Sequence, residues 1–358
     1  MTRQRRGAMP AKFGFQVQKP QYPQWLREDV ALSGARYVKL INPDLGMPEP
    51  FGNGVKYIGR LWWDGEPDKA LVREGKAGAK AWMAMALPRM EKCPWVWAWE
   101  GPNEPYVGNL EACRSLAAFE LERCRLMQQR SLRSISLCLS TGNPPVMDYW
   151  VELARGIVLS DGWAVHEYGM KRMNLDGQHL LRYRRAAEVI EVEIGFVPPL
   201  FITETGIDLA GSPQHGWMGW GVSEEDYLGQ LIAYERELAC DPYVEAAFPF
   251  VWMPEGWPTF EITPSLSRKL ALYMAGVSAV ERRIGEAAQG YVVPLNPEAA
   301  FERAAAKRGL LPASREFAVP GTDYWAQVYR DPKRREVQYL VYAVKGDWGH
   351  LRWFERAN

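Results

Sequence analysis

Short runs rich in β-branched and aromatic residues recur along the chain at intervals of roughly 20 to 40 residues, and most of the intervals carry the apolar period of a helix. The runs are Lys12–Val17, Tyr37–Ile41, Tyr57–Trp62, Val96–Trp99, Ile135–Leu139, Gly162–Val165, Leu200–Thr203 and Ala246–Val251. Strands that alternate with helices indicate β/α units and a mostly parallel sheet. Eight such units predict an α/β fold, the (β/α)8 TIM barrel. A helix is predicted over Asn109–Gln129, where Leu110, Cys113, Leu116, Ala117, Phe119 and Leu121 supply an apolar face among charges. A second is predicted over Ser223–Cys240, with Ser223 as N-cap and Asp226 three residues on, and a third from Asp68 to about Met90. The competing architecture, a doubly wound sheet, would usually carry a Gly-rich phosphate loop after its first strand. The segment from Phe15 to Pro20 offers none.

After the eighth unit, the helix-like stretch Pro264–Gly276 is expected to close the barrel, and the pattern then changes. A helix (Pro297–Arg308) precedes three strand-like runs, Tyr324–Arg330, Glu336–Val344 and His350–Phe354. The turns between them are Asp-Pro-Lys-Arg and Lys-Gly-Asp-Trp-Gly, which predicts a small α+β module with an antiparallel hairpin. The expected division is therefore a barrel over residues 1–285 and a module over residues 286–358.

Several strands end in a polar or chemically capable residue followed by Gly or Pro: INPD, WEGPNEP, STGNPP, HEYG, TETG and VWMPEG. C-terminal strand ends are where barrels deliver functional side chains. Two of the carboxylates at these ends terminate apolar strands where a charge would otherwise be wasteful: Glu104 after the fourth run and Glu204 directly after the seventh. Hydrolysis of a glycosidic bond with retention needs such a pair, an acid to protonate the leaving oxygen and a carboxylate to attack the anomeric carbon, about 5 to 5.5 Å apart. The Asn-Glu-Pro of residues 103–105, the Thr-Glu-Thr-Gly of residues 203–206 and the His-Glu-Tyr of residues 166–168 between them resemble the clan A glycoside hydrolases in order and spacing, over about residues 12 to 276.

The resemblance implies roles residue by residue. Glu104 would be the general acid/base and Glu204 the nucleophile. Asn103 would hydrogen-bond the substrate 2-hydroxyl, Tyr168 would hold the nucleophile ionised, and His166 would touch substrate or the acid/base. Trp252, at the end of the eighth strand, would be the platform for the sugar beside the scissile bond. The clan commonly places an Arg near the nucleophile on strand two, where this chain has Lys39; Arg60 on strand three, and Lys39 with Asn42 on strand two, would orient the nucleophile or the substrate. Trp62, Trp63, Trp217, Trp220 and Trp257 follow strands three, seven and eight and are expected to line sugar subsites. Glu100, Glu167 and Glu261 are the neighbouring carboxylates, read as ordinary side chains.

Composition narrows the picture. Lys plus Arg and Asp plus Glu both number 43, so overall charge recruits neither nucleic acid nor an anionic membrane. Sixteen Trp residues, many next to Gly or Pro, suit stacking on sugar rings. The five Cys form no C-x-x-C pair and read as buried thiols. No metal and no cofactor is implied. Met1–Pro10 is basic without a following apolar stretch, so no signal peptide is read; a cytoplasmic site or export by another route is expected, without a membrane span. The expected function is a retaining glycosidase, its partner a carbohydrate, with an assembly contact through the C-terminal module. A carbohydrate-binding or structural barrel of a surface or phage assembly, and a transglycosylase using the same residues, are the alternatives.

Overall fold

The computed structural model describes residues 11–19, 21–46, 51, 54–209, 211–276, 300–312, 317–318, 323–331 and 337–357. Met1–Pro10, the linker around residue 285, the start of the helix expected from Pro297 and the Asp-Pro-Lys-Arg turn lie wholly or largely outside them. The chain divides into two compact units, Met1–Glu281 and Arg282–Asn358.

In the first unit eight parallel strands pair in chain order: β1 (Phe15–Val17), β2 (Tyr37–Ile41), β3 (Lys56–Arg60), β4 (Ala98–Glu100), β5 (Ser134–Leu139), β6 (Gly162–Gly169), β7 (Leu200–Ile207) and β8 (Val244–Pro249). Parallel bridges Phe13↔Ala247 and Val17↔Trp252 join the last strand to the first, closing a (β/α)8 barrel. The connecting helices are α1 (Gln24–Ser33), α2 (Pro67–Val72), α3 (Lys76–Met90), α4 (Leu110–Gln128), α5 (Trp150–Gly156), α6 (Tyr183–Ile194), α7 (Glu224–Leu238) and α8 (264–276). Asn109 and Ser223 cap α4 and α7 by accepting from the amides of Ala112 and Asp226, as Asn and Ser do at helix starts. The single helix expected from Asp68 to Met90 is two, because the chain turns at residues 73–75 and Gly75 has φ 55°, a left-handed conformation that glycine adopts without a Cβ clash.

Strand alternation sorts the side chains into two cores. Tyr37, Ile58, Ala98, Ile135, Ala164, Phe201, Ala246 and Phe248 form one buried cluster drawn from strands β2 to β8. Their neighbours along the strands, such as Val38, Tyr57, Trp99, Val165, Ile202 and Ala247, join the larger cluster that includes the helices. The first set is therefore the barrel interior and the second the layer beneath the helices. Two residues beyond Tyr37, Ile58, Ala98 and Ala164, towards the C-terminal strand ends, stand Lys39, Arg60, Glu100 and His166, all buried. An apolar floor and a charged layer above it thus follow from period two alone.

The second unit has helix α9 (Ala300–Ala306) and an antiparallel sheet with β9 (Leu311–Pro312), β10 (Phe317–Ala318), β11 (Tyr324–Arg330), β12 (Val337–Val344) and β13 (Arg352–Ala357). Phe301, Ala305 and Leu310 pack with Tyr329, Tyr339, Val341 and Ala343 as its core. The three expected strands are the three long ones; β9 and β10, of two residues each, are too short to leave a pattern in the sequence.

Four of the five cysteines are buried; Cys240, expected with them, is exposed at the end of α7, its thiol donating to the carbonyl of Arg236. Among the described residues no helix is long and apolar enough to cross a membrane, and no group of three or more His, Cys, Asp or Glu side chains could hold a metal ion.

Candidate active site

The C-terminal strand ends open on a cleft of about 790 Å³ whose lining includes Asn103, Glu104, Tyr168 and Glu204. Glu204 lies on β7, buried, and receives groups from four other strands. Arg60 Nη1 of β3 donates to its Oε1 at 2.8 Å, and Lys39 Nζ of β2 and Gln16 Nε2 of β1 each lie 3.4 Å from the same oxygen. The Tyr168 hydroxyl of β6 donates to Oε2 at 2.9 Å. Burial alone would push this carboxyl up, but the charges of His166, Lys39 and Arg60 and the Tyr168 hydrogen bond hold it well below the usual carboxylate range. It is ionised throughout the physiological range.

Glu104 follows β4 in a left-handed conformation, φ 47°, with its amide bonded to the Cys138 carbonyl of β5. Its side chain is 35% exposed to the cleft, and its Oε1 lies 2.8 Å from His166 Nδ1. His166 Nδ1 is also 3.6 Å from Glu204 Oε2, so the imidazole stands between the two carboxylates. Together the 2.8 and 3.6 Å contacts place those two oxygens no more than about 6.4 Å apart. A general acid beside a second carboxylate is expected to titrate above an ordinary glutamate, and Glu104 does not. Burial does raise it, yet the hydrogen bond and charge of His166 outweigh burial and the repulsion of Glu204, and the carboxyl lies below its usual value.

Asn103 lines the cleft, and its buried Oδ1 meets no partner among the described residues. Asn42 also lines the cleft, but its Oδ1 is taken up by the Trp62 amide at 2.7 Å and Arg89 at 3.0 Å, so it fixes the loop after β3. Lys39 is buried beneath Glu204 and donates to the Thr203 carbonyl at 2.9 Å; it faces Glu204 and Glu100 and does not line the cleft.

The tryptophans divide. Trp62, 42% exposed, and Trp257 line the cleft with Phe250 and Phe260. Trp252 does not: it is 0% exposed, its ring lies 4.5 Å from that of Phe15, and its Nε1 donates to Ser267 of α8 at 2.9 Å. β8 ends at Pro249, so period two does not carry on to residue 252. The aromatic that the end of this strand delivers to the cleft is Phe250. Trp217 is buried and stacked on Tyr227. Trp63 packs edge-on against Trp82 beneath Arg89. Trp220 stacks on His215 and carries Lys171 over its ring. None of these three lines the cleft.

Glu167, between His166 and Tyr168, faces the helix layer, where it accepts from the amides of Leu181 and Tyr183 and from the Tyr234 hydroxyl. Burial pushes it up to about 7 despite these bonds. Gln16, Asp208 and Glu100 are the site residues that motif reasoning passed over. Gln16 and Glu100 occupy interior-facing positions of β1 and β4 that alternation alone singles out.

No protein-family model matches the chain, and no curated protein matches its sequence. Among solved structures it is similar to a GH128 (subgroup III) curdlan-specific exo-β-1,3-glucanase from Blastomyces gilchristii, at 17% identity and TM-score 0.43 over 74% of this chain and 99% of that one. It is also similar to a GH30 endoxylanase from Clostridium papyrosolvens, at 12% identity and TM-score 0.44 over 95% and 83% of the two chains. A glucosidase from Croceicoccus marinus shares 12% identity at TM-score 0.47 over 94% and 76%.

Proposed function

We propose that the chain is a retaining glycoside hydrolase of clan A type, acting on β-linked oligo- or polysaccharides, with Glu204 as nucleophile and Glu104 as general acid/base. The observation that carries this reading is the contrast between two neighbouring carboxylates. Glu204 is buried against Arg60, Lys39 and Tyr168 and is kept ionised, whereas Glu104 is open to the cleft and bonded to His166. Both carboxyls lie below the usual value, so the division of roles rests on confinement: the carboxylate held by two cations suits the nucleophile and the one open to the cleft suits the acid/base.

In the first step a Glu204 oxygen attacks the anomeric carbon while the bond to the leaving oxygen breaks and that oxygen takes the proton of Glu104. In the second, water attacks the same carbon, its proton passes to Glu104, and the ester bond to Glu204 breaks. Glu104 stands one hydrogen bond from His166 Nδ1, whose bond and charge hold the carboxyl below its usual value. Trp62, Trp257 and Phe250 offer apolar faces to sugar rings. Apart from the catalytic pair, the carboxylates lining the cleft are Asp64, Glu66, Asp208 and Glu255; its cations Arg60 and Lys69 are each paired with a glutamate. This lining favours uncharged sugars over uronates.

The test is a panel of activated aryl β-glycosides. Wild type should release the aryl group with retention, seen by proton NMR of the first-formed anomer. Glu204→Ala should lose turnover and recover it with azide as an α-glycosyl azide, because azide enters the space of the missing carboxylate. An inverted first product, or azide rescue giving the β-azide, removes Glu204 from the nucleophilic role.

A further inference from the structure

Glu100 is among the most confined carboxylates of the barrel. It sits at the C-terminal end of β4 in the charged layer, 1% exposed, and neither carboxyl oxygen accepts a hydrogen bond among the described residues. Its ion-pair contact is Lys39 Nζ, 3.3 Å from Oε2. That ammonium also donates to the Thr203 carbonyl at 2.9 Å and lies 3.4 Å from Glu204 Oε1. Lys39 is therefore shared between two buried carboxylates, while Arg60 holds Glu204 from another side at 2.8 Å.

The sharing has a chemical consequence if Glu204 is the nucleophile, the reading on which this inference rests. At rest, Lys39 and Arg60 contact Glu204, and Lys39 also contacts Glu100, while the imidazole of His166 stands between Glu204 and Glu104. When Glu204 becomes a glycosyl ester it loses its charge, and without Glu100 the Lys39 ammonium would be left buried with no carboxylate in contact, a costly state. Lys39 and Arg60, without Glu100, would also stabilise the free carboxylate so far that attack is slowed. We infer that Glu100 is a positioning residue for the reaction, the counter-anion that shares Lys39 with the nucleophile and takes it over when Glu204 is esterified.

Wild type, Glu100→Gln and the charge-neutral double variant Lys39→Met with Glu100→Gln are compared on the dinitrophenyl β-glycoside that wild type turns over best. On such a substrate kcat/KM reports formation of the glycosyl-enzyme, and the burst of released phenolate reports its accumulation. Glu100→Gln keeps the shape and removes the charge. It should lower kcat/KM by about tenfold or more and shrink the burst without slowing ester hydrolysis, and the double variant should recover most of kcat/KM. A purely structural role would lower thermal stability and leave the balance between the two steps unmoved. Equal slowing of both steps, an unchanged kcat/KM, or a double variant worse than the single overturns the inference while leaving the hydrolase reading intact. Should the single variant not fold, the double carries the comparison, since it leaves neither member of the pair buried alone. Its kcat/KM should then fall within about tenfold of wild type, and a collapse, showing Lys39 needed at Glu204 for its own sake, overturns the inference. Absence of wild-type turnover on the whole panel overturns both.

Discussion

Glu104 and His166 are joined by one hydrogen bond, and the direction of the Glu104 shift depends on which group is beside it. Burial and the Glu204 charge push the carboxyl up; the His166 hydrogen bond and charge push it down and prevail. Replacing His166 with Asn removes the downward pair and leaves the upward one, so the Glu104 carboxyl should titrate higher in His166→Asn than in wild type. Carbon-13 NMR of the labelled carboxyl measures this directly, and a value unchanged or lower refutes the assignment of cause. At this scale the sequence was legible where a carboxylate stands on or just after an apolar strand, as at Glu204 and Glu104. It was not legible where a large aromatic suits both the core and a ligand. Trp252 belongs to the core because Phe15 and Ser267 complete its surroundings from β1 and α8, residues far from it in sequence. Neither was Glu100 or Gln16 legible by motif, since both depend on strand parity and not on a named tripeptide.

At the scale of elements, the eight strands and most helices were readable because period two and period 3.6 are local properties. The irregularity of β5 was not. Leu137 and Cys138 have φ of 79° and 45°, and the pairing with β6 shifts between Ser136 and Leu139. Left-handed backbone at non-glycine residues costs roughly 1 to 2 kcal/mol each, and here a buried pair on α4 offsets it. Glu120 accepts the Leu137 amide at 3.1 Å, and Arg123 bonds Glu120 at 2.7 Å and the Ile135 carbonyl at 2.9 Å. The bulge matters for the site because the Cys138 carbonyl it presents receives the Glu104 amide. Arg123→Met leaves Glu120 charged and buried without its partner, so it should lose about 3 to 5 kcal/mol of stability. Glu120→Gln combined with Arg123→Met keeps an acceptor for Leu137 and removes the stranded charge, and it should lose less. Urea denaturation of the two variants decides the matter, and an equal loss would mean that the unpaired charge is not the cause.

For the whole molecule, the charged layer, the cleft and both carboxylates belong to the first compact unit, and the second has its own helix, sheet and core. A unit with its own core folds by its own contacts. The chemistry proposed for Glu104 and Glu204 uses groups from β1, β2, β3, β6 and β7 and none from beyond residue 281. A chain ended at Glu281 should therefore turn over a small aryl glycoside within several-fold of the full-length protein, because neither the Glu104–His166 contact nor the cradle of Glu204 is touched. The C-terminal unit would then act on how the enzyme meets a large substrate or an assembly, and its loss should show on a polymeric glycan or in sedimentation before it shows on the aryl glycoside. Circular dichroism and a cooperative melt establish that the shortened chain is folded. A folded, soluble shortened chain with no activity on the small substrate would mean that the second unit takes part in catalysis.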